Sequence, residues 1–254
     1  PDPKKPISLG LNSKLVREDG VLKEKVWKKG GMYSESIEKI IENLEIAKKY
    51  AENKKQADAL DLLVKYYETG DLKIWDDYNV AWEETTEGDV DYINGFIEVY
   101  NDPKGYRGSY ESVVQIKDFE MSKKMSAISS EAQWFEDNST IMDVHKKKNV
   151  VGISYNTVNV AGEAGDASPS TPIGINLPNA NWIRANHGSK SISLGNILYA
   201  YGNAGSSGRL EEFAYSKEEI EASKEQLQQT QAALNASQSE IERIKFLRKK
   251  SRER

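Results

Sequence analysis

Glu98 and Tyr100 stand two positions apart in the run NGFIEVYNDPKGYRGSYES, residues 94–112. On an extended chain that spacing projects both side chains from one face, so Phe96, Glu98 and Tyr100 are expected together, with Ile97 and Val99 turned into the core. A carboxylate beside a fixed phenol offers an acceptor for a cation and a donor for developing negative charge. The same alternation describes an edge hairpin with a solvated polar face. Asn101, Asp102, Pro103, Lys104 and Gly105 predict a turn after it, through side-chain capping, the preset φ of proline and the free φ of glycine. In PIGINLPNANWIR, residues 172–184, Asn176 and Asn179 bracket Pro178. Proline blocks regular helix and limits ladder pairing, which leaves amide side chains free to hydrogen-bond a peptide backbone; Asn and Pro equally mark ordinary turns.

Other chemistries are limited by what the chain lacks. His145 and His187 are its two histidines and lie far apart, so neither HExxH nor HExxxH occurs. There is no GxSxG elbow, no P-loop and no GxGxxG after a strand. With no cysteine, disulfides and thiolate sites are excluded. The net charge of −5 is spread over both signs, and the one basic run, residues 245–254, gives no broad basic face for nucleic acid. No apolar run of membrane length is present, so a soluble protein without a membrane partner is expected, its compartment left open between cytoplasmic and periplasmic.

The elements that position these residues follow from periodicity. Residues 7–31 predict short strands around an Asp19-Gly20 turn. From residue 34 the spacing becomes helical: Ile37, Ile40, Ile41, Leu44 and Ala47 follow Ser34 and Ser36 as candidate N-caps. A second helix carries Ala59, Leu62, Leu63, Tyr66 and Tyr67 to Gly70. Trp75, Tyr78 and Trp82 form an aromatic stripe on a third helix, read as core rather than as a ligand box. After the strand containing Glu98, residues 113–116 are a short apolar run able to pair with it, and residues 117–148 read as polar helix. Residues 150–160 read as a strand, 161–171 as a small-residue loop, and 194–201 as a short helix before a Gly-Ser loop over 202–208. Phe213, Ile220, Leu227, Leu234 and Ile241 recur every seven residues with polar companions, which predicts one long helix over 216–249 with a thin apolar seam, suited to packing on its own domain or to self-association.

Three runs together carry a family resemblance: INGFIEVYNDPKG (93–105), SEAQWFEDNS (130–139) and TPIGINLPNANWIRANHGSKSISLGNI (171–197). In sequence, order and spacing they resemble the dipeptidyl peptidase III family, zinc exopeptidases that remove dipeptides from the N-terminus of oligopeptides. The likeness covers residues 7–221. It implies a two-lobed enzyme whose substrate joins the edge of a β core in the lower lobe. It further implies that Glu98 holds the free α-amino group of the peptide, that Asn176 and Asn179 hold its first residues, and that Tyr100 stabilises the oxyanion of the tetrahedral intermediate. The departure is the zinc motif. Where the family carries HExxxGH, Glu221 runs into ASKEQLQQTQAALNASQSEIERIK, so the resemblance implies zinc for the full-length family and no metal ligands, hence no cofactor, in this sequence.

The expected fold is α+β, a small mixed or barrel-like β core surrounded by helices, with residues 1–215 as the substrate-binding lobe and 216–254 as a long polar helix with a basic tail. The expected function is the substrate-binding portion of a dipeptidyl peptidase III-like metallopeptidase, inactive by itself, with an oligopeptide bearing a free N-terminus as partner. The alternative is a noncatalytic peptide-binding or scaffold module with a helical association tail.

Overall fold

The change from two-residue to helical spacing at residue 34 divides the N-terminal part of the chain. A computed structural model describes residues 10–150, 153–168, 171–203 and, in the tail, 221–222, 224–225 and 228–230. Strands β1 (Ser13–Glu18) and β2 (Val21–Val26) form an antiparallel hairpin in which Asp19 and Gly20 have φ of 50° and 80°. Positive φ at both turn positions is what a two-residue type I′ connection requires, and Asp-Gly supplies it at little cost.

Helices α1 (Ser34–Lys48), α2 (Lys54–Thr69) and α3 (Leu72–Glu83) follow. The N-cap of α1 is Tyr33, at φ 61°, and not Ser34 or Ser36 as expected. The Ser34 hydroxyl is used elsewhere, accepting from the Gly30 amide and donating to Glu38. The other two helices are capped conventionally, α2 by the Asn53 side chain on the Gln56 amide and α3 by Asp71 on Lys73, and α2 stops at Gly70, whose φ is 70°. Ile37, Leu63, Tyr67 and Trp82 bury their apolar faces in one core with Ile93 and Val113. Each such side chain contributes about 1.5–3 kcal/mol relative to exposure. The aromatic stripe is core: Tyr78 and Trp82 are buried, and Trp75 stacks between Tyr66 and Tyr78.

The remaining strands are β3 (Val90–Phe96), β4 (Tyr110–Lys117), β5 (Ile153–Gly165), β6 (Gly174–Leu177) and β7 (Ser189–Leu194). They form one mixed sheet in the order β3-β4-β5-β7-β6, antiparallel except for the β5–β7 pair. Strand β5 extends through residues read as loop, because Gly162 to Gly165 continue the ladder with β4 past a bulge at Val114/Gln115. Helices α4 (Phe119–Ser130) and α5 (Ala132–Asp137) lie between β4 and β5, and α4 is tied to β5 by the Ser122 hydroxyl, which donates to the Thr157 carbonyl and accepts from its amide. Helix α6 (Asn181–Asn186) joins β6 to β7, and α7 (Gly195–Asn203) follows β7.

The sheet is strongly curled. Lys190 of β7 reaches Asp91 of β3 at 2.8 Å, although β4 and β5 lie between them in the sheet order. Its ammonium also donates to Thr85 and sits 4.2 Å from the centre of the Trp82 ring, with the side chain almost wholly buried. Burial pushes its pKa down, against the opposing pull of Asp91. The architecture is the expected α+β arrangement of helices around a small mixed β core, here an open, curled five-stranded sheet.

The chain divides into two compact units, Pro1–Tyr199 and Ala200–Arg254. The expected helix over 216–249 lies outside the described residues except at the tail positions given above, which are helical. Among the described residues no helix is long and apolar enough to cross a membrane.

Candidate functional site

Glu98 and Tyr100 lie just beyond strand β3, where the strand breaks its own pattern. The ladder with β4 is regular to the Phe96↔Tyr110 pair, and then the Ile97 amide donates to the Ser109 carbonyl while the Ser109 amide donates to the Glu98 carbonyl. Two residues thus oppose one, the geometry of a β-bulge, and such an insertion re-aims every side chain beyond it. Phe96 therefore does not share a face with Glu98 and Tyr100. It is buried edge-on against Trp27, Tyr67 and Tyr110, while Ile97 is buried on the opposite side and Val99 is only half-buried. The expectation of simple alternation through residue 100 fails because the strand ends at Phe96 with both of its faces covered.

The turn beyond is held by Asp102, whose carboxylate accepts from the amides of Tyr106, Lys104 and Arg107, bonds that hold it below the usual carboxylate range. Gly108 permits the return: a Cβ there would lie 2.7 Å from the Phe96 carbonyl. Gly165, at φ 67°, ends β5 so closely over Tyr110 that the Asp166 amide donates to the Tyr110 carbonyl at 2.9 Å.

These elements enclose a cleft of about 640 Å³. Glu98 and Tyr100 line it from the segment after β3, Glu111 and Val113 from β4, Asp166 from the segment after β5, and Asn176 and Asn179 from β6 and the turn beyond. The Asn179 amide donates to Glu98 at 3.0 Å, and the Asn101 amide donates to Asp166 at 2.7 Å. The Tyr100 hydroxyl bonds the Glu98 carboxylate, which raises the phenol pKa above its ordinary value. Tyr100 is otherwise 82% exposed. The Leu177–Pro178 peptide bond between the two asparagines is cis.

Strand β6 is an edge, paired with β7 alone. The Leu194 amide donates to the Ile173 carbonyl, so by antiparallel alternation the backbone groups of Gly174 and Asn176 point away from β7 and toward the open edge. An edge with two unpaired residues can accept an extended chain as a further strand.

Glu111 and Asp166 were not singled out from the sequence. Glu111 shares the inner face with Val113 and Gln115 at two-residue spacing, and that periodicity is the signal that would have found it. Asp166 sits in the small-residue stretch and carries no such signal. Three carboxylates thus meet in a cleft whose lining includes no Lys, Arg or His. Burial, then the charges of Glu98 and Asp166, push Glu111 up to about 7.

The zinc implied by the resemblance finds no fit here. Among the described residues no group of three or more His, Cys, Asp or Glu side chains could hold a metal ion. The carboxylates of the cleft are engaged by amide and hydroxyl donors or stand without a histidine beside them, unlike the mixed nitrogen and oxygen ligand sets of catalytic zinc.

Comparison with known proteins matches residues 11–241 to the family model of peptidase family M49. The dipeptidyl peptidase 3 of Nematostella vectensis is 32% identical over 171 residues, which cover 67% of this chain and 23% of that protein. The Homo sapiens dipeptidyl peptidase 3 is 30% identical over 168 residues, covering 66% of this chain and 22% of that protein. The chain thus spans about a quarter of the length of the curated relatives it matches. The structure of DPP III from Caldithrix abyssi superposes with a TM-score of 0.67 at 24% identity, over 76% of this chain and 37% of that one. That of dipeptidyl-peptidase III from Corallococcus sp. strain EGB superposes with the same TM-score at 21% identity, over 76% and 36%. These two likenesses concern the fold.

Proposed function

The chain belongs to peptidase family M49, and from that premise we propose that its cleft is the substrate-binding part of a dipeptidyl peptidase III-like enzyme, one that holds an oligopeptide by its free amino terminus. The observation that carries this reading is the cleft itself: carboxylates without a basic counter-charge, beside a sheet edge with unpaired backbone groups.

The peptide lies along β6 as an added strand, its backbone bonded by Gly174 and Asn176 and its ammonium group received by Glu98. Asn176 contributes its amide to the first residues, and Asn179 orients the Glu98 carboxylate toward them. Tyr100 is placed to donate to an oxyanion, a role that acts only in a transition state. No hydrolytic step is assigned to this chain, because its sequence carries neither HExxH nor HExxxGH. Peptide binding without hydrolysis by this chain alone is therefore part of the proposal.

The test is calorimetric titration of one short peptide, with its amino terminus free and acetylated, against wild type and Glu98→Ala. Glu98→Ala should weaken the free peptide by about 1.5–3 kcal/mol, the range for a hydrogen bond to a charged group, and barely change the acetylated one. Equal losses for the two peptides would mean that Glu98 does not read the terminus. Elemental analysis showing one tightly held zinc per chain, together with chelator-sensitive dipeptide release, would sink the nonhydrolytic half.

A further inference from the structure

We propose that the ligand-free cleft stores one exchangeable proton on Glu111 and that a bound ammonium group displaces it, so that each peptide with a free amino terminus releases a proton on binding. This rests on the peptide-binding reading given above and concerns the same cleft.

The argument begins with how the three carboxylates differ in their partners. Glu98 is served by the Asn179 amide and the Tyr100 hydroxyl, and Asp166 by the Asn101 amide. Glu111 has no such side-chain donor among the described residues; it is partly buried and faces two negative charges. The groups around it are Glu98 and Tyr100 from the segment after β3 and Asp166 from the segment after β5. From β6 and its turn come only the uncharged residues Gly174, Ile175, Asn176, Leu177 and Asn179. With no cationic side chain lining the cleft, the third carboxylate is the least costly place for a proton, and its pKa, pushed up to about 7, agrees.

An ammonium group brought among the three carboxylates supplies the missing positive charge. The O–H bond of the Glu111 carboxylic acid then breaks, the proton passes to buffer, and the carboxylate remains beside the bound ammonium. The measured release is that of the whole cleft, and Glu111 is the group that supplies it. A peptide α-amino group is almost fully protonated at pH 6.5, so the peptide itself takes up little.

The experiment is calorimetric titration of a short peptide with a free amino terminus and uncharged side chains at pH 6.5, in phosphate and in imidazole, against the full chain and its Glu111→Gln variant. The expected result is a dependence of the heat on buffer ionisation corresponding to release of more than half a proton per peptide, lost in Glu111→Gln. Binding with the same heat in both buffers, or release that persists in Glu111→Gln, overturns the proton displacement and leaves the peptide-binding reading standing. Absence of binding overturns the peptide reading and the displacement step with it. A carbon-13 carboxyl titration of the ligand-free chain, with the Glu111 signal assigned through Glu111→Gln, decides the stored proton separately: a midpoint in the ordinary carboxylate range overturns it.

Discussion

The side-chain amide of Asn179 donates to Oε1 of Glu98 at 3.0 Å, linking the two ends of a curled sheet through residues 81 positions apart. In the proposed peptide complex, an amide already engaged on the carboxylate would act on the ligand through that carboxylate. Asn179→Ala should therefore weaken a free-amine peptide by about 1 kcal/mol, the net worth of one hydrogen bond, and leave its acetylated counterpart nearly unchanged. Paired titrations check this; a matching loss for both peptides would assign Asn179 to the peptide backbone instead.

Glu111 ties stability to pH. Its folded pKa, about 7, lies above the ordinary 4.5, so between those values the folded chain holds a proton that the unfolded chain has released. Its contribution is full below about 4.5 and is lost as pH rises through about 7. The side chain is partly exposed, and screening reduces the effect to about 1 kcal/mol. Glu111→Gln should gain that much on wild type between pH 5 and pH 8, measured from urea midpoints, and a constant difference between the two proteins would contradict it.

Lys190 stabilises the closure of the sheet. Lys190→Ala removes the counter-charge of Asp91, which keeps only the neutral Trp82 indole and Tyr92 amide donors, and opens a cavity, and should cost about 3 kcal/mol. Lys190→Met keeps the length of the stem, and the Asp91 side chain is 27% exposed and can be hydrated, so about 1 kcal/mol is expected there. Denaturant midpoints separate the two, and equal costs would mean that the charge pair, not the packing, sets the stability.

Gln115 is fully buried on the inner face of β4, and neither its Nε2 nor its Oε1 meets a hydrogen-bond partner among the described residues. Replacing an unpartnered buried amide by an apolar side chain of similar length removes a desolvation cost, so Gln115→Met should raise stability by about 1 kcal/mol. A loss of stability in the same denaturation assay would show that the amide is satisfied in solution.

The sequence by itself determined the local elements. The helical spacing from Ile37 to Trp82, the β1–β2 turn at Asp19 and Gly20, and the stop at Gly70 are each set by a few neighbouring residues whose periodicity or φ preference acts over one turn or one strand. Family membership was legible in the same way, through three separated runs that together resemble the family.

What only the tertiary structure decided depends on residues that meet across the sheet. The bulge opposite Ser109, which separates Phe96 from Glu98 and Tyr100, arises where β3 leaves its ladder, and nothing in the alternation of residues 96–100 announces it. Glu111 comes beside Glu98 through the β3–β4 pairing, and Asp166 joins them only because β5 folds over Tyr110 at Gly165. Lys190 finds Asp91 only because the sheet curls far enough for a side chain of β7 to reach β3. Curl and register are set by the summed packing of both faces against the helices, a property of the whole core, and so the charge environment that gives the cleft its chemistry is written in no single stretch of the chain.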